Sequence, residues 1–154
     1  MRALTLILMF FSFSYADQYT FLVDKYDKEI ELEAKILFKI ATVSAKKDIT
    51  LFIPEITPVE AKVYGKFFTL TSQCQEANFI FINKTTTSTM PCDPSGKLFF
   101  TNNYKKLLSD TKFFGAFFWA KSRPNIVFLK KRLTVHNIAL PKEYYRYVEE
   151  FDAQ

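Results

Sequence analysis

The sequence predicts an α/β fold: a single-domain sandwich with a mixed β-sheet flanked by helices. Three observations carry this. First, hydrophobic periodicity alternates along the chain in the order helix, strand, helix, strand, strand, helix, hairpin, helices. Second, Phe113–Leu133 reads as two apolar strands around a tight turn. Its apolar residues are successive, not alternate, which marks a strand covered on both faces. Third, 154 residues suffice for one compact domain and are few for two, and there are no repeats or internal linkers. An antiparallel sheet with segregated helices is the weaker alternative.

Residues 1–16 read as a cleaved signal peptide. Arg2 supplies the positive start, and Leu4–Phe11 is apolar but shorter than the roughly 20 residues a bilayer requires. Ser14 and Ala16 are the small residues a signal peptidase reads. Residues 17–154 are then a single periplasmic α/β domain with no stable membrane insertion. Residues 17–27 read as an aromatic lead-in arm. From residue 28 the period becomes helical, with Ile30, Ala34, Leu37, Phe38 and Ala41 on one face.

Asp48–Ile53 is an apolar run ended by Pro54, hence a strand. Thr57-Pro58-Val59-Glu60 starts a helix: Thr57 caps, Pro58 fits the first position, and Glu60 reaches back in a capping box. That helix is expected to reach about Phe67. Asn78–Asn83 is the next strand, residues 84–96 a polar loop, and Lys97–Thr101 a short strand. Asn102 or Asn103 caps a helix through Leu108. In the hairpin, Phe113–Trp119 and Ile126–Leu129 form the strands. Lys121-Ser122-Arg123-Pro124-Asn125 forms the turn, since proline is excluded from central strands. Leu133–Ile138 and Lys142–Phe151 are expected to be helices.

Composition narrows the function classes. The chain is 49% hydrophobic with 18 phenylalanines against 3 glycines, so aromatic rings must fill much of the core. The formal charge of +5 is mild, and no basic stripe with interleaved aromatics points to nucleic acid. Cys74 and Cys92 are the only cysteines. In an exported protein they form a structural disulfide or a redox-sensing pair, and the residues leave both open. Two Cys and one His without ligand spacing point to no metal site, and nothing points to a cofactor. His136, the lone histidine, lies beside no evident nucleophile, so no catalytic residue is assigned. Asn83-Lys84-Thr85 matches a glycosylation sequon, a pattern too short to use. Trp119, Lys121, Arg123 and Asn125 at the turn, with the run Lys130, Lys131 and Arg132, form the candidate interaction surface. Arg123 can fork onto a carboxylate or phosphate. The same charges also serve to guard an apolar hairpin against edge pairing.

The chain resembles the YfiR-like family of small periplasmic proteins. Cys74-Gln75-Glu76-Ala77-Asn78-Phe79-Ile80-Phe81-Ile82 is similar to the family's Cys leading into an apolar strand. Phe114-Gly115-Ala116-Phe117-Phe118 is similar to its Gly-apolar strand. Asn125-Ile126-Val127-Phe128 and Asn137-Ile138-Ala139-Leu140 are similar to its closing strand and helix. The family's Trp-Pro is replaced by Thr42–Lys47. The resemblance implies a non-enzymatic periplasmic regulator, often dimeric. Such proteins bind the outer domain of a membrane-bound diguanylate cyclase or sensor histidine kinase and hold its activity down. The alternative is a periplasmic small-ligand-binding protein.

Overall fold

The computed structural model describes residues 16–45, 47–87, 92–121 and 123–150, with side chains in the first helix from Lys28 onward. The leader expected over residues 1–16 lies outside the described residues, apart from Ala16. A seven-stranded mixed sheet forms in the order β2-β1-β3-β4-β5-β6-β7. Its strands are β1 (Thr50–Phe52), β2 (Thr69–Leu70), β3 (Phe79–Ile82), β4 (Leu98–Thr101), β5 (Phe113–Ala120), β6 (Arg123–Leu129) and β7 (Val148–Glu149). The first five run parallel, β6 pairs antiparallel to β5, and β7 lies parallel to β6.

Helix α1 (Ala16–Ser44) precedes the sheet. Residues 17–27 therefore continue a helix and do not form a separate arm. Ile30, Ala34, Leu37, Ile40 and Ala41 bury its inner face. Phe38 sits at the margin, 37% exposed, with its ring 5.4 Å from that of Phe68. Helix α2 (Pro58–Tyr64) starts as expected, with Thr57 and Glu60 bonding reciprocally in a capping box. It stops at Tyr64, short of Phe67, because the amides of Lys66 and Phe67 turn back onto Val63 and Tyr64 carbonyls in a tightened turn. Helix α3 (Tyr104–Ser109) is capped by Asn103, whose Oδ1 accepts from the Lys105 and Lys106 amides.

The sheet is sandwiched. Its first face packs under α1 and α2 through Leu51, Phe79, Phe81, Phe100, Phe114 and Phe128. Its second face presents Ile80, Ile82, Phe99, Phe113 and Ala116 to Leu107 of α3 and to Cys74. The two faces depend on an irregularity in β5. Phe99 pairs with Phe113 and Phe100 with Gly115, so Phe114 is an extra residue, a β-bulge. Phe114 thereby joins the first face while Phe113 and Ala116 stay on the second. Gly115 is required for close approach. A Cβ there would meet Phe100 Cε2, Phe128 Cδ1 and the Val127 carbonyl oxygen, each at 2.8 Å.

The C-terminal third departs from expectation. Helix α4 (Lys130–Val135) begins three residues before Leu133, directly at the end of β6. Lys142–Tyr147 is a 3₁₀ turn leading into β7, not an α-helix; Phe151 lies outside the described residues. Pro124 lies within β6, opposite Trp119. This is tolerated because β7 pairs only with Phe128 and Leu129, leaving the Arg123–Asn125 end of β6 as open rim. Pairing thus continues as far as Ala120 opposite Arg123. Among the described residues no helix is long and apolar enough to cross a membrane.

Gly115→Ala is expected to destabilise the protein by about 3 kcal/mol, since a backbone carbonyl cannot yield as a side chain can. Urea denaturation measures this; an unchanged midpoint would contradict the bulge packing.

Candidate functional site

Parallel strands gather their C-terminal ends on one edge of the sheet. β1 sends the chain outward to β2, and β3 restarts on β1's other side. Such a reversal opens a crevice at the strand ends, where open α/β sheets place ligands. An open cleft of about 190 Å³ lies there. Glu29, Ile30 and Glu33 line it from α1, and Glu60 from α2. Asn83, Lys84 and Thr85 follow β3, Asn102 follows β4, and Trp119 comes from β5.

The cleft floor is a hydrogen-bond chain. The Tyr64 hydroxyl donates to Glu33 Oε1 at 2.7 Å, and Asn102 Nδ2 donates to Glu33 Oε2 at 3.3 Å. Asn102 Oδ1 in turn accepts the Lys84 amide, tying the loop after β3 to the end of β4. Burial pushes the Glu33 carboxyl above its ordinary range; the bonds from Tyr64 and Asn102 oppose this, and Glu60 adds to it. Among the described residues Glu33 takes part in no ion pair. Asn83 is 8% exposed, and its side-chain oxygen Oδ1, shut off from solvent, has no hydrogen-bond partner among the described residues. Its burial also speaks against its serving as a glycan acceptor.

The loop after β3 is pinned from outside the cleft. Lys106 Nζ donates to the carbonyls of Asn83 and Thr86 at 3.3 and 2.9 Å. Lys97 Nζ donates to Gln75 and Ala77 carbonyls, and Cys74 and Cys92 are joined in a disulfide with Cα atoms 5.9 Å apart. The bridge ties the β3–β4 crossover to the 3₁₀ turn Cys74–Glu76 before β3. It settles the question of the two cysteines in favour of a bonded pair. Such a bond fits an oxidising compartment.

The expected interaction surface divides. Trp119 is 46% exposed, and Lys121 and Arg123 stand exposed beside it at the hairpin tip. Asn125 is half-buried, its amide donating to the Arg123 carbonyl at 2.9 Å. Lys130 and Lys131 are exposed at the far end of β6, seven residues or about 20 Å away. They do not share a surface with the turn, and Lys130 pairs with Glu150 at 2.6 Å. Arg132 is no surface residue. It is 3% exposed, and its Nη1 donates to the carbonyls of Leu107, Asp110 and Phe113 at 2.6, 2.8 and 2.9 Å. It fixes the C-terminal end of α3 to β5, where a cation also suits the helix dipole.

His136 lines a separate cavity together with Ser44. The Ser44 hydroxyl is buried without a partner among the described residues, so no hydrogen bond joins it to the imidazole. Burial, and then the charge of Arg132, lower the His136 pKa. No group of three His, Cys, Asp or Glu able to hold a metal occurs among the described residues.

Sequence reasoning missed the cleft. Asn83 and Asn102 each directly follow an apolar strand, and polar residues in that position are the available signal. Glu33 merged with the other acids of an amphipathic helix, and nothing in its spacing sets it apart. No family model, curated protein or solved structure matches the chain.

Two outcomes follow from this geometry. Reducing the disulfide, or Cys92→Ser, is expected to cost about 3 kcal/mol for a bridge spanning 18 residues. Thermal melts with and without reductant measure it, and identical melts would contradict the bond. Glu33 keeps its proton to a higher pH folded than unfolded. Its stabilising contribution is therefore complete below the unfolded pKa and lost as pH rises through the folded one. The stability of the parent relative to Glu33→Gln is expected to fall as pH rises above the ordinary carboxylate range. Parallel pH–stability curves would show that Glu33 is not perturbed.

Proposed function

We propose that this is a non-enzymatic regulatory protein of the periplasm that binds the outer domain of a membrane-bound signalling protein and modulates it. The partner class, a diguanylate cyclase or sensor histidine kinase, comes from the resemblance to YfiR-like proteins. The disulfide supports an exported setting. The observation that carries the reading is the tip of the β5–β6 hairpin. There an exposed Trp119 stands beside Lys121 and Arg123 on a paired, rigid support. Tryptophan and arginine dominate the energetics of protein interfaces. Lys121 holds a left-handed φ of 50°, a conformation that glycine or asparagine would adopt at less cost. Strain of this kind gathers at functional positions.

Regulation would work by population shift. A domain that prefers one state of its partner by 1.4 kcal/mol changes the ratio of states tenfold. The contact surface is the tip alone, without Lys130, Lys131 or Arg132. A second reading, a small-ligand-binding protein, is favoured by the cleft at the strand ends.

Affinity capture from detergent-solubilised membranes tests the first reading. The parent protein is expected to recover a membrane sensor or cyclase, and Trp119→Ala to lower recovery at least tenfold. Capture of no membrane protein, or equal capture by Trp119→Ala, would contradict it.

A further inference from the structure

Part of β6 is an open sheet edge. The strand is 7 residues long, and β7 pairs only with Phe128 and Leu129 at its end. No strand among the described residues lies against Arg123–Val127 on the side away from β5. The register says which main-chain groups point outward there. Along an antiparallel pair, residues alternate between exchanging hydrogen bonds with the neighbour and turning their N–H and C=O away from it. Pro124 has no N–H to give β5, so opposite Trp119 it takes a position of the second kind. Ile126 and Phe128 share its parity, and β7 meets Phe128. The Ile126 N–H and C=O and the Pro124 C=O therefore face outward, and no described strand receives them.

A groove opens at the same place. A space of about 260 Å³ lies between Ile126, Ile36 and Ile40 of α1, and Tyr144 and Tyr147 of the 3₁₀ turn before β7. Main-chain donors and acceptors in a row beside an apolar groove are the features by which proteins take up an extended polypeptide as an extra strand. Charge narrows the choice of polypeptide. Lys39 and Arg146 line the groove against Glu143 alone, and Lys121 and Arg123 stand exposed at its hairpin end. The Arg146 guanidinium lies over the Tyr147 ring, 4.8 Å from its centre, an arrangement that keeps the N–H groups at its rim directed outward for a carboxylate. A second copy of this chain would bring the same cations against themselves, in a chain of net charge +5. An acidic strand meets no such repulsion.

We propose that β6 accepts an extended, acidic segment of the partner protein as an added strand along Arg123–Val127, with one apolar side chain in the groove beside Ile126. This rests on the reading of this end of the protein as a contact surface, and names how the partner is held. No bond is made or broken; the segment is bound and released.

The probe is a fluorescein-labelled nine-residue peptide of alternating valine and glutamate, titrated into the purified protein and read by anisotropy. Saturable binding is expected, with slowed hydrogen exchange at the Ile126 amide. The valine–lysine counterpart, and the same valine–glutamate peptide N-methylated at every amide, are expected to bind at least tenfold more weakly. Ile126→Pro removes the outward N–H and is expected to weaken the peptide at least tenfold. Lys39→Glu combined with Arg146→Glu, both at exposed positions, is expected to do the same, and decides the matter if Ile126→Pro fails to fold. Lys105→Ala, on α3 across the sheet, is expected to bind as the parent does. Absence of saturation at millimolar peptide, equal binding of the lysine peptide, or undiminished binding by the double variant would overturn the proposal. So would a dimer of the parent that Ile126→Pro dissolves, since a second copy would then hold the edge. Membrane capture that depends on Trp119, with no peptide bound, overturns the added strand and leaves the tip as contact surface. Peptide binding with no membrane protein captured supports the added strand and overturns the membrane partner.

Discussion

Four phenylalanine rings meeting over a single glycine hold this fold together. Phe114 lies 5.4 Å from Phe100, 6.1 Å from Phe79 and 6.1 Å from Phe128, the last pair nearly parallel at 9°. Each such pair contributes about 1 kcal/mol beyond its buried area. The rings come together only because β5 carries an extra residue, which rotates Phe114 to the α1 side. They fit only because Gly115 offers no Cβ at the point of contact. Without the bulge, strict alternation would assign Phe114 and Ala116 to the same face of the sheet, and one side of the sandwich would lose its centre.

The position of the cleft and of the hairpin tip follows from that centre. β5 enters at Phe113, where Arg132 clamps its first carbonyl together with the end of α3. Near its other end stands Trp119, which rims the cleft and also begins the exposed tip. One strand thus connects a buried guanidinium at one end to an exposed tryptophan at the other. The loop after β3 is tied down by Lys106, Lys97 and the Cys74–Cys92 bond. Preorganisation of this kind lets a surface bind without first bearing an ordering cost.

Much of the fold was legible in local chemistry. The capping box at Thr57 and Glu60, the cap at Asn103 and the apolar strands after Asp48, Asn78 and Lys97 all formed where their residues direct. The errors have physical causes. Pro124 reads as a turn residue because its missing N–H is costly inside a sheet, yet the end of β6 is rim. Lys130 to Arg132 read as part of one interaction surface, because nothing in a linear sequence says that three carbonyls 19 to 25 residues away need a donor. β2 and β7, two residues each, are too short to leave a periodic signal. The cleft is a product of topology. It exists because β1 and β3 are neighbours with connections leaving in opposite directions, and that pairing is invisible until the sheet order is known.

Amide hydrogen exchange, read residue by residue on the purified protein, tests the centre of this account most directly. If the bulged strand and its phenylalanines are the structure on which the rest is assembled, amides of Phe113–Phe118 exchange only through global unfolding and are the slowest in the chain. The loop at residues 83–87 opens earlier. Faster exchange in β5 than in α1, or exchange of β5 by local opening, would contradict it.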